Sequence, residues 1–318
     1  MKGRASGSRR TIYAALIGNL LIAVTKFGAA AVSGSSAMLS EGVHSLVDTC
    51  NEVLLLHGLR RSTKPPDAEH PLGYGRELYF WSFIVALLVF ALGAGVSLYE
   101  GILHVLSPRP IENALVNYVV LGLSFICEGA SWSVAFKAFR SGMGDRGFFD
   151  AVRASKDPAT FTVLLEDTAA LIGISFAAIG IFASEWFGMP ELDGVGSIAI
   201  GLLLAVTSVF LARESKGLLI GERADPRLEA DVLALAAADP AILKANGVLT
   251  VHLAPDQIVA SLSAEFRDNA TADEIEACVE RLEKQLAERR REVTVLFVKP
   301  QTSRRWLRGR SLQAASLP

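Results

Sequence analysis

Six apolar stretches restrict what this chain can fold into, because a helix of about 20 apolar residues crosses a hydrocarbon layer of about 30 Å. They run over residues 11–32, 37–59, 78–106, 114–139, 158–184 and 192–212. Hydrophobic residues make up 51% of the chain and charged residues only 20%, which is unusual for a soluble domain. The sequence therefore predicts an all-α membrane protein, a bundle of six transmembrane helices in the lipid bilayer.

Basic residues are concentrated on every second side of these spans, starting with the N-terminal tail. They are concentrated in the N-terminal tail, the second connection and the fourth connection: Lys2, Arg4, Arg9 and Arg10; Arg60, Arg61, Lys64 and Arg76; Lys137, Arg140, Arg146, Arg153 and Lys156. The other connections hold only Arg109. Because short loops rich in Lys and Arg stay in the cytoplasm, both termini are predicted to be cytoplasmic. The N-terminus lacks an amphipathic transit segment, which favours a bacterial inner (plasma) membrane.

The polar C-terminal third has the pattern helix, strand, strand, helix, strand, over residues 226–237, 248–253, 258–266, 271–290 and 293–298. Asp225 before Pro226 is typical of a helix start, and Thr271 with Glu274 forms a capping-box pattern. We predict a transport domain over residues 1–212, a small cytoplasmic α+β domain over 213–300, and a disordered or membrane-surface tail over 301–318. The net charge of -2 excludes the basic surface that a nucleic-acid partner needs.

Ionisable residues inside the spans indicate a functional site, because inserting each one costs roughly 2.5–3.5 kcal/mol. The second span carries a stripe with helical spacing: Glu41, His44, Asp48, Asn51 and Glu52. The fifth span carries Glu166 and Asp167. Helical rise places Asp48 about 16 Å and Asp167 about 14 Å from the cytoplasmic edge, so their carboxylates lie at the same depth.

An imidazole and two carboxylates at one depth suit Zn²⁺, and also Mn²⁺, Fe²⁺ or Co²⁺. Two aspartates balance a divalent cation, and they take up protons when it leaves, which is the minimum for an antiporter. The alternative is that these polar residues pair with each other or with Lys26 and hold the helices together. Glu128, in the fourth span, is interpreted as a further ligand, a proton relay or a partner of Lys26.

Several motifs resemble those of the cation diffusion facilitator family, closest to the branch that contains the mitochondrial zinc exporter. They are SGSSAMLSEGVHSLVD and HPLGYGR, followed by LYFWS, LDGVGSIAIGLLLA and GERADPRL. The resemblance implies exchange of a divalent metal cation for protons by a homodimer, with the dimer formed through the cytoplasmic domain. It also implies a site with two ligands from the second span and two from the fifth.

Three of the implied ligands are present as His44, Asp48 and Asp167, but the first ligand of the fifth span falls on Val163. Glu166, Glu128, Glu41 or a water could complete the coordination sphere. A loop metal site of some members is matched only by Asp67 and His70, because Tyr74 replaces its later histidine. Since His252 is the only histidine of the tail, the cytoplasmic metal sites of the family are expected to be missing.

The main hypothesis is proton-coupled efflux of a divalent metal cation, Zn²⁺ first, with the metal as transported substrate and no organic cofactor. An alternative is a non-transporting or regulatory relative that acts as a membrane scaffold. An enzyme is not expected, since neither an HExxH nor a GxSxG motif accompanies the site.

Overall fold

The computed structural model describes residues 2–143 and 147–315, so Arg146 of the predicted basic connection and the ends of the predicted domains at Met1 and Pro318 lie outside the described residues. The chain forms two compact units. The first comprises Met1–Thr63 with Glu77–Lys216, and the second Lys64–Arg76 with Gly217–Pro318. The loop Lys64–Arg76, which the sequence prediction assigned to the transport domain, is thus grouped with the C-terminal unit.

The first unit is a bundle of long helices. Its helices are α1 (Lys2–Ser33), α2 (Ser36–Ser62), α3 (Glu77–Leu88), α4 (Gly95–Leu106), α5 (Ala114–Met143), α7 (Pro158–Phe187) and α8 (Glu191–Ile220), with a short α6 (Phe148–Ala154) between α5 and α7. A π-helical segment, Val89–Ala94, joins α3 to α4 into one continuous span. All six predicted spans lie within these helices, which confirms the predicted fold class.

Five helical segments of the described residues are long and apolar enough to cross a membrane. They are Leu16–Ser33, Glu77–Leu106, Ala114–Arg140, Pro158–Phe187 and Glu191–Ile220. Helix α2 is 27 residues long but does not meet the same criterion, since it carries the polar stripe predicted from the sequence. The protein is therefore a multi-pass membrane protein in which the most polar of the six spans packs against apolar ones.

Small residues bring α8 close to its neighbours. A Cβ atom on Gly101 of α4 would lie 2.8 Å from the carbonyl oxygen of Gly194, and a Cβ atom on Gly180 of α7 would lie 3.2 Å from Cα of Gly196. Such close backbone approach is the usual way in which helices pack within a membrane, where burial of apolar surface gives no driving force. The two contacts fix α8 between α4 and α7.

The second unit is a three-stranded sheet with two helices, α9 and α10, packed on one face. Its elements are α9 (Pro226–Ala238), β1 (Ile242–Ala254), β2 (Gln257–Phe266), α10 (Ala272–Arg289) and β3 (Val293–Pro300). Strand β2 pairs antiparallel with β1 and parallel with β3, so α10 is the crossover connection that a parallel pair requires. The predicted N-cap at Asp225 and the capping box of Thr271 and Glu274 are both confirmed.

The disordered tail predicted over residues 301–318 is wrong for most of its length, because α11 spans Ser303–Ala315. The Ser303 amide and hydroxyl both donate to Oε2 of Glu265, at 2.9 and 2.8 Å, and these bonds lower the pKa of the Glu265 carboxyl. The ring of Trp306 packs so closely on Gly247 that a Cβ atom there would lie 2.6 Å from it. These anchoring contacts are long-range, so the missing local periodicity did not reveal them.

Candidate metal site

Two of the predicted ligands, His44 and Asp48, face each other one turn apart on α2. Nδ1 of His44 lies 3.4 Å from Oδ1 of Asp48. Neither ring nitrogen of His44 has a hydrogen-bond partner, and neither has Oδ1 of Asp48, although all three atoms are buried. Buried polar atoms without partners are rare in folded proteins and require an explanation.

The separation of these two atoms matches the distance between two ligand atoms of a tetrahedral zinc ion, which we call the tetrahedral edge. With Zn–N and Zn–O bonds of about 2.0–2.2 Å and a tetrahedral angle, ligand nitrogen and oxygen are about 3.4 Å apart. The observed Nδ1 to Oδ1 distance of 3.4 Å is longer than a good hydrogen bond and equal to that edge. The spacing of the pair is therefore compatible with two ligands of a tetrahedral cation.

A small cavity next to this pair collects acidic side chains from three helices. Its volume is about 20 Å³, enough for one water molecule or one cation. The lining residues come from α1, α2, α5 and α7: Asn19, Ser45, Asp48, Glu52, Glu128, Val163, Glu166 and Asp167. The equal depth of Asp48 and Asp167 deduced from helical rise thus corresponds to a shared cavity.

The predicted ligands are not assembled around one point in this conformation. His44 does not line the cavity, and Oδ2 of Asp167 accepts a hydrogen bond of 2.8 Å from the Ser131 hydroxyl. Within residues 2–143 and 147–315, no group of three or more His, Cys, Asp or Glu side chains is positioned to hold a metal ion. The structure thus brings Asp48 and Asp167 to one cavity and leaves His44 outside its lining.

Two of the additional candidates already have amide or ammonium partners. Glu41 accepts from the Lys26 ammonium at 3.0 Å, and Lys26 also donates to the Ser45 hydroxyl at 2.8 Å. The Asn51 amide donates to Oε1 of Glu166 at 2.7 Å. One of the three interpretations of Glu128 was a pairing with Lys26. In the structure Lys26 bonds to Glu41 instead, and Glu128 lines the cavity.

Val163 lines the same cavity, at the position where the resemblance implies a fourth ligand. Its isopropyl group cannot coordinate a cation, so one side of the cavity is apolar. Sequence reasoning missed three polar residues beside the site: Asn19, whose amide donates to Glu52 at 2.7 Å, Ser45 and Ser131. A polar residue within an apolar span is the signal that could have identified such residues, and Asn19 is a clear case.

The weak loop site over Asp67 and His70 is occupied by bonds within the loop itself. Oδ1 of Asp67 accepts from the backbone amides of Glu69 and His70, and Oδ2 accepts from the Tyr74 hydroxyl at 2.6 Å. The Tyr74 bond is the main reason that the pKa of the Asp67 carboxyl is lowered. These bonds form an Asx-type turn, which explains the residue types without a metal.

The tail histidine, His252, is buried in β1, with Nδ1 at 3.1 Å from the carbonyl oxygen of Ala254. Its contacts are those of a packed strand residue.

Comparison with known proteins gives one family match and several relatives. The family model described as the cation efflux transmembrane domain matches residues 12–220. The chain is 35% identical over 262 residues to the mouse (Mus musculus) protein named proton-coupled zinc antiporter SLC30A9, mitochondrial, covering 82% of this chain and 46% of that relative. It is 36% identical over 228 residues to metal tolerance protein C4 of Arabidopsis thaliana, covering 71% of this chain and 50% of that relative.

A bacterial relative of similar length matches at lower identity. It is named cation-efflux pump FieF, from Klebsiella pneumoniae, and is 24% identical over 280 residues, with 86% of this chain and 87% of the relative covered. In contrast, the chain spans about half the length of the mouse and Arabidopsis relatives.

Proposed function

Because this chain belongs to the cation diffusion facilitator family, we propose that it exports a divalent metal cation, Zn²⁺ first, in exchange for protons. The observation that carries the proposal is the cavity in which Asp48 of α2 meets Asp167 of α7. It lies inside a bundle whose other helices are apolar, so these carboxylates are of little use except along a pathway.

The chemistry follows from charge balance. Two carboxylates neutralise a doubly charged ion in a medium of low polarity, and they bind protons when the ion departs. Ion and protons then occupy the same groups in turn, which couples their movement in opposite directions. Alternating access would come from rocking of helices about a site near the middle of the membrane.

The proposed ligands are His44, Asp48 and Asp167. His44 and Asp48 already have the spacing of a tetrahedral edge, and Asp167 reaches the ion when it exchanges the Ser131 hydroxyl for the metal. Metal binding has to bring Asp167 towards Nδ1 of His44, since His44 does not line the cavity in this conformation. Glu166, Glu128 or a water supplies the fourth ligand that Val163 cannot.

We also propose that the protein acts as a homodimer through the second unit, with both termini in the cytoplasm of a bacterial inner membrane. Leu249 of β1 and Phe297 of β3 flank Ser261 in one row across the sheet, on the same face. Leu249 is 45% and Phe297 55% exposed. Exposed apolar side chains on one face of a sheet can mark an interface.

The test is transport by the full chain in proteoliposomes under an imposed pH gradient, with Zn²⁺ and internal pH followed together. Wild type should move Zn²⁺ and protons in opposite directions, while Asp48→Asn and Asp167→Asn should abolish both movements. The matched control is Glu185→Gln, since Glu185 lies on the same helix as Asp167 but bonds to Tyr118 outside the cavity. Unchanged flux in both asparagine variants would remove the carboxylates from the mechanism.

Val163 favours one other function, that of a membrane scaffold or regulatory partner without transport, because it makes part of the cavity apolar. Calorimetric titration separates the two. A scaffold binds no Zn²⁺ at micromolar concentration, whereas a transporter binds it, and Asp48→Asn or His44→Ala removes the binding at the central site.

A further inference from the structure

A second, larger cavity opens in the first unit at the end that carries the three short connections between helices. Its volume is about 670 Å³. It is lined by apolar residues of α1 and α2 and by polar residues that include Ser35, Ser36, Glu100, His104 and Arg109. We call it the vestibule. It shares no lining residue with the cavity of Asp48 and Asp167.

His104 is the residue in the vestibule whose placement calls for an explanation. Its side chain is only 7% exposed, and Nε2 is buried without a hydrogen-bond partner. Glu100 lies four residues earlier on α4, so the two side chains share one face of that helix. A buried imidazole beside a carboxylate is a pair that suits a divalent cation.

Asp193 lies on the Nε2 side of the His104 ring. Its Oδ2 lies 3.8 Å from Nε2 of His104. The carboxylate is fully buried and held in place by the Ser35 hydroxyl and by the amide and hydroxyl of Ser36, at 2.7, 2.6 and 3.0 Å. The separation is longer than a hydrogen bond, so the two side chains face each other without bonding. Once Nε2–H moves onto this carboxylate, the bond orients the ring and makes its other nitrogen a better ligand. Here that other nitrogen is Nδ1.

The charges in the vestibule favour a cation over an anion. Glu100 is an acidic side chain in the lining, and the carboxylate of Asp193 lies behind His104. Arg109 is the opposing positive charge, and it lies exposed at the rim, where solvent and salt screen it. An anion would have to approach the Glu100 carboxylate, with a second carboxylate behind His104, while a cation meets only the exposed guanidinium of Arg109.

From these contacts we infer that the vestibule is a second binding site for the transported divalent cation, with His104 and Glu100 as ligands and Asp193 as the residue that positions His104. The inference rests on the proposed function, which makes the end with short connections the side where the ion is released. The second site holds the ion after it leaves Asp48 and Asp167, so that protons can occupy those carboxylates before the ion returns. The rim charge of Arg109 keeps this site weaker than the central one.

The experiment uses the full chain purified in nanodiscs, with Zn²⁺ alone as the titrant, followed by calorimetry. The Asp48→Asn variant removes the central site and should still bind Zn²⁺. Adding His104→Ala should weaken the remaining binding at least about tenfold, and adding Glu100→Gln should weaken it in the same direction. Adding His57→Ala should leave it unchanged, because His57 is an exposed histidine at the other end of α2 that packs on Trp81.

Glu100→Gln removes a half-buried charge and keeps the side-chain shape, so it remains informative if His104→Ala fails to fold. Absence of Zn²⁺ binding in Asp48→Asn, or identical isotherms with and without His104, would overturn the second site. If wild type still exchanges Zn²⁺ for protons in that case, the proposed function stands without it. If wild type shows no exchange while Asp48→Asn binds Zn²⁺ through His104, the proposed function fails and the site remains.

Discussion

The buried ion pair between Lys26 and Glu41 should behave as one energetic unit. Both side chains are fully buried, and Nζ lies 3.0 Å from Oε2. At that separation and an effective dielectric constant of about 20, the attraction is roughly 5 kcal/mol. Desolvation of the two charges offsets much of this, so the net contribution of the intact pair is small.

Removing only one partner gives a different result, because it leaves the other charge buried without compensation. Lys26→Met and Glu41→Met should each destabilise the protein by about 3–5 kcal/mol. The double variant replaces both charges with apolar side chains of similar length, so it should be more stable than either single variant. The expected coupling energy is at least about 2 kcal/mol, well above the 0.3–0.5 kcal/mol by which independent sites depart from additivity.

The assay is reversible unfolding in mixed micelles with increasing denaturing detergent, analysed as a double-mutant cycle. Arg61 and Glu77 provide the matched control, since their side chains are 36% and 23% exposed and Nη2 lies 2.8 Å from Oε1. Their coupling should stay below about 1 kcal/mol. Additive losses for Lys26 and Glu41 would show that the charges do not depend on each other and that Lys26 has a different role.

Two further predictions concern the packing of α8 and the second unit. Gly101→Ala should destabilise the protein by about 1–3 kcal/mol in the same unfolding assay, because its Cβ would meet Gly194. Gly122→Ala is the control and should be close to neutral, since there is open space around Gly122. Arg281→Ala should lower the stability of the second unit by about 1 kcal/mol at neutral pH, since Arg281 donates two hydrogen bonds to Asp239 and is itself half exposed. These bonds lower the pKa of the Asp239 carboxyl, so the difference from wild type should disappear as the pH falls through that lowered pKa, as measured by hydrogen exchange in α10.

The sequence was sufficient for those parts of the fold that depend on local patterns. Apolar length predicts the spans, and the caps at Asp225 and Thr271 depend on residues within four positions of each other. The equal depth of Asp48 and Asp167 also follows from helical rise alone, since α2 ends and α7 begins at a basic connection. Each of these features needs only a short segment and a fixed geometry.

Partner choice inside the bundle could not be predicted in the same way. The sequence places Lys26 and several acids in the interior of the spans, and only packing decides that Lys26 bonds to Glu41 and not to Glu128. The position of His104 near Asp193 joins residues 89 positions apart in the chain, and α11 depends on a tryptophan packing against a glycine in a strand. Such contacts are set by tertiary structure and leave no periodic signal.

X-ray absorption spectroscopy of the Zn²⁺-loaded chain tests the proposed ligands most directly. All spectra are taken in the His104→Ala background, which removes the second site. We expect one imidazole nitrogen at about 2.0–2.1 Å with the remaining ligands oxygen, and loss of that nitrogen when His44→Ala is added. A spectrum with only oxygen ligands in that background, unchanged by removal of His44, Asp48 or Asp167, would contradict the proposed coordination of the transported ion.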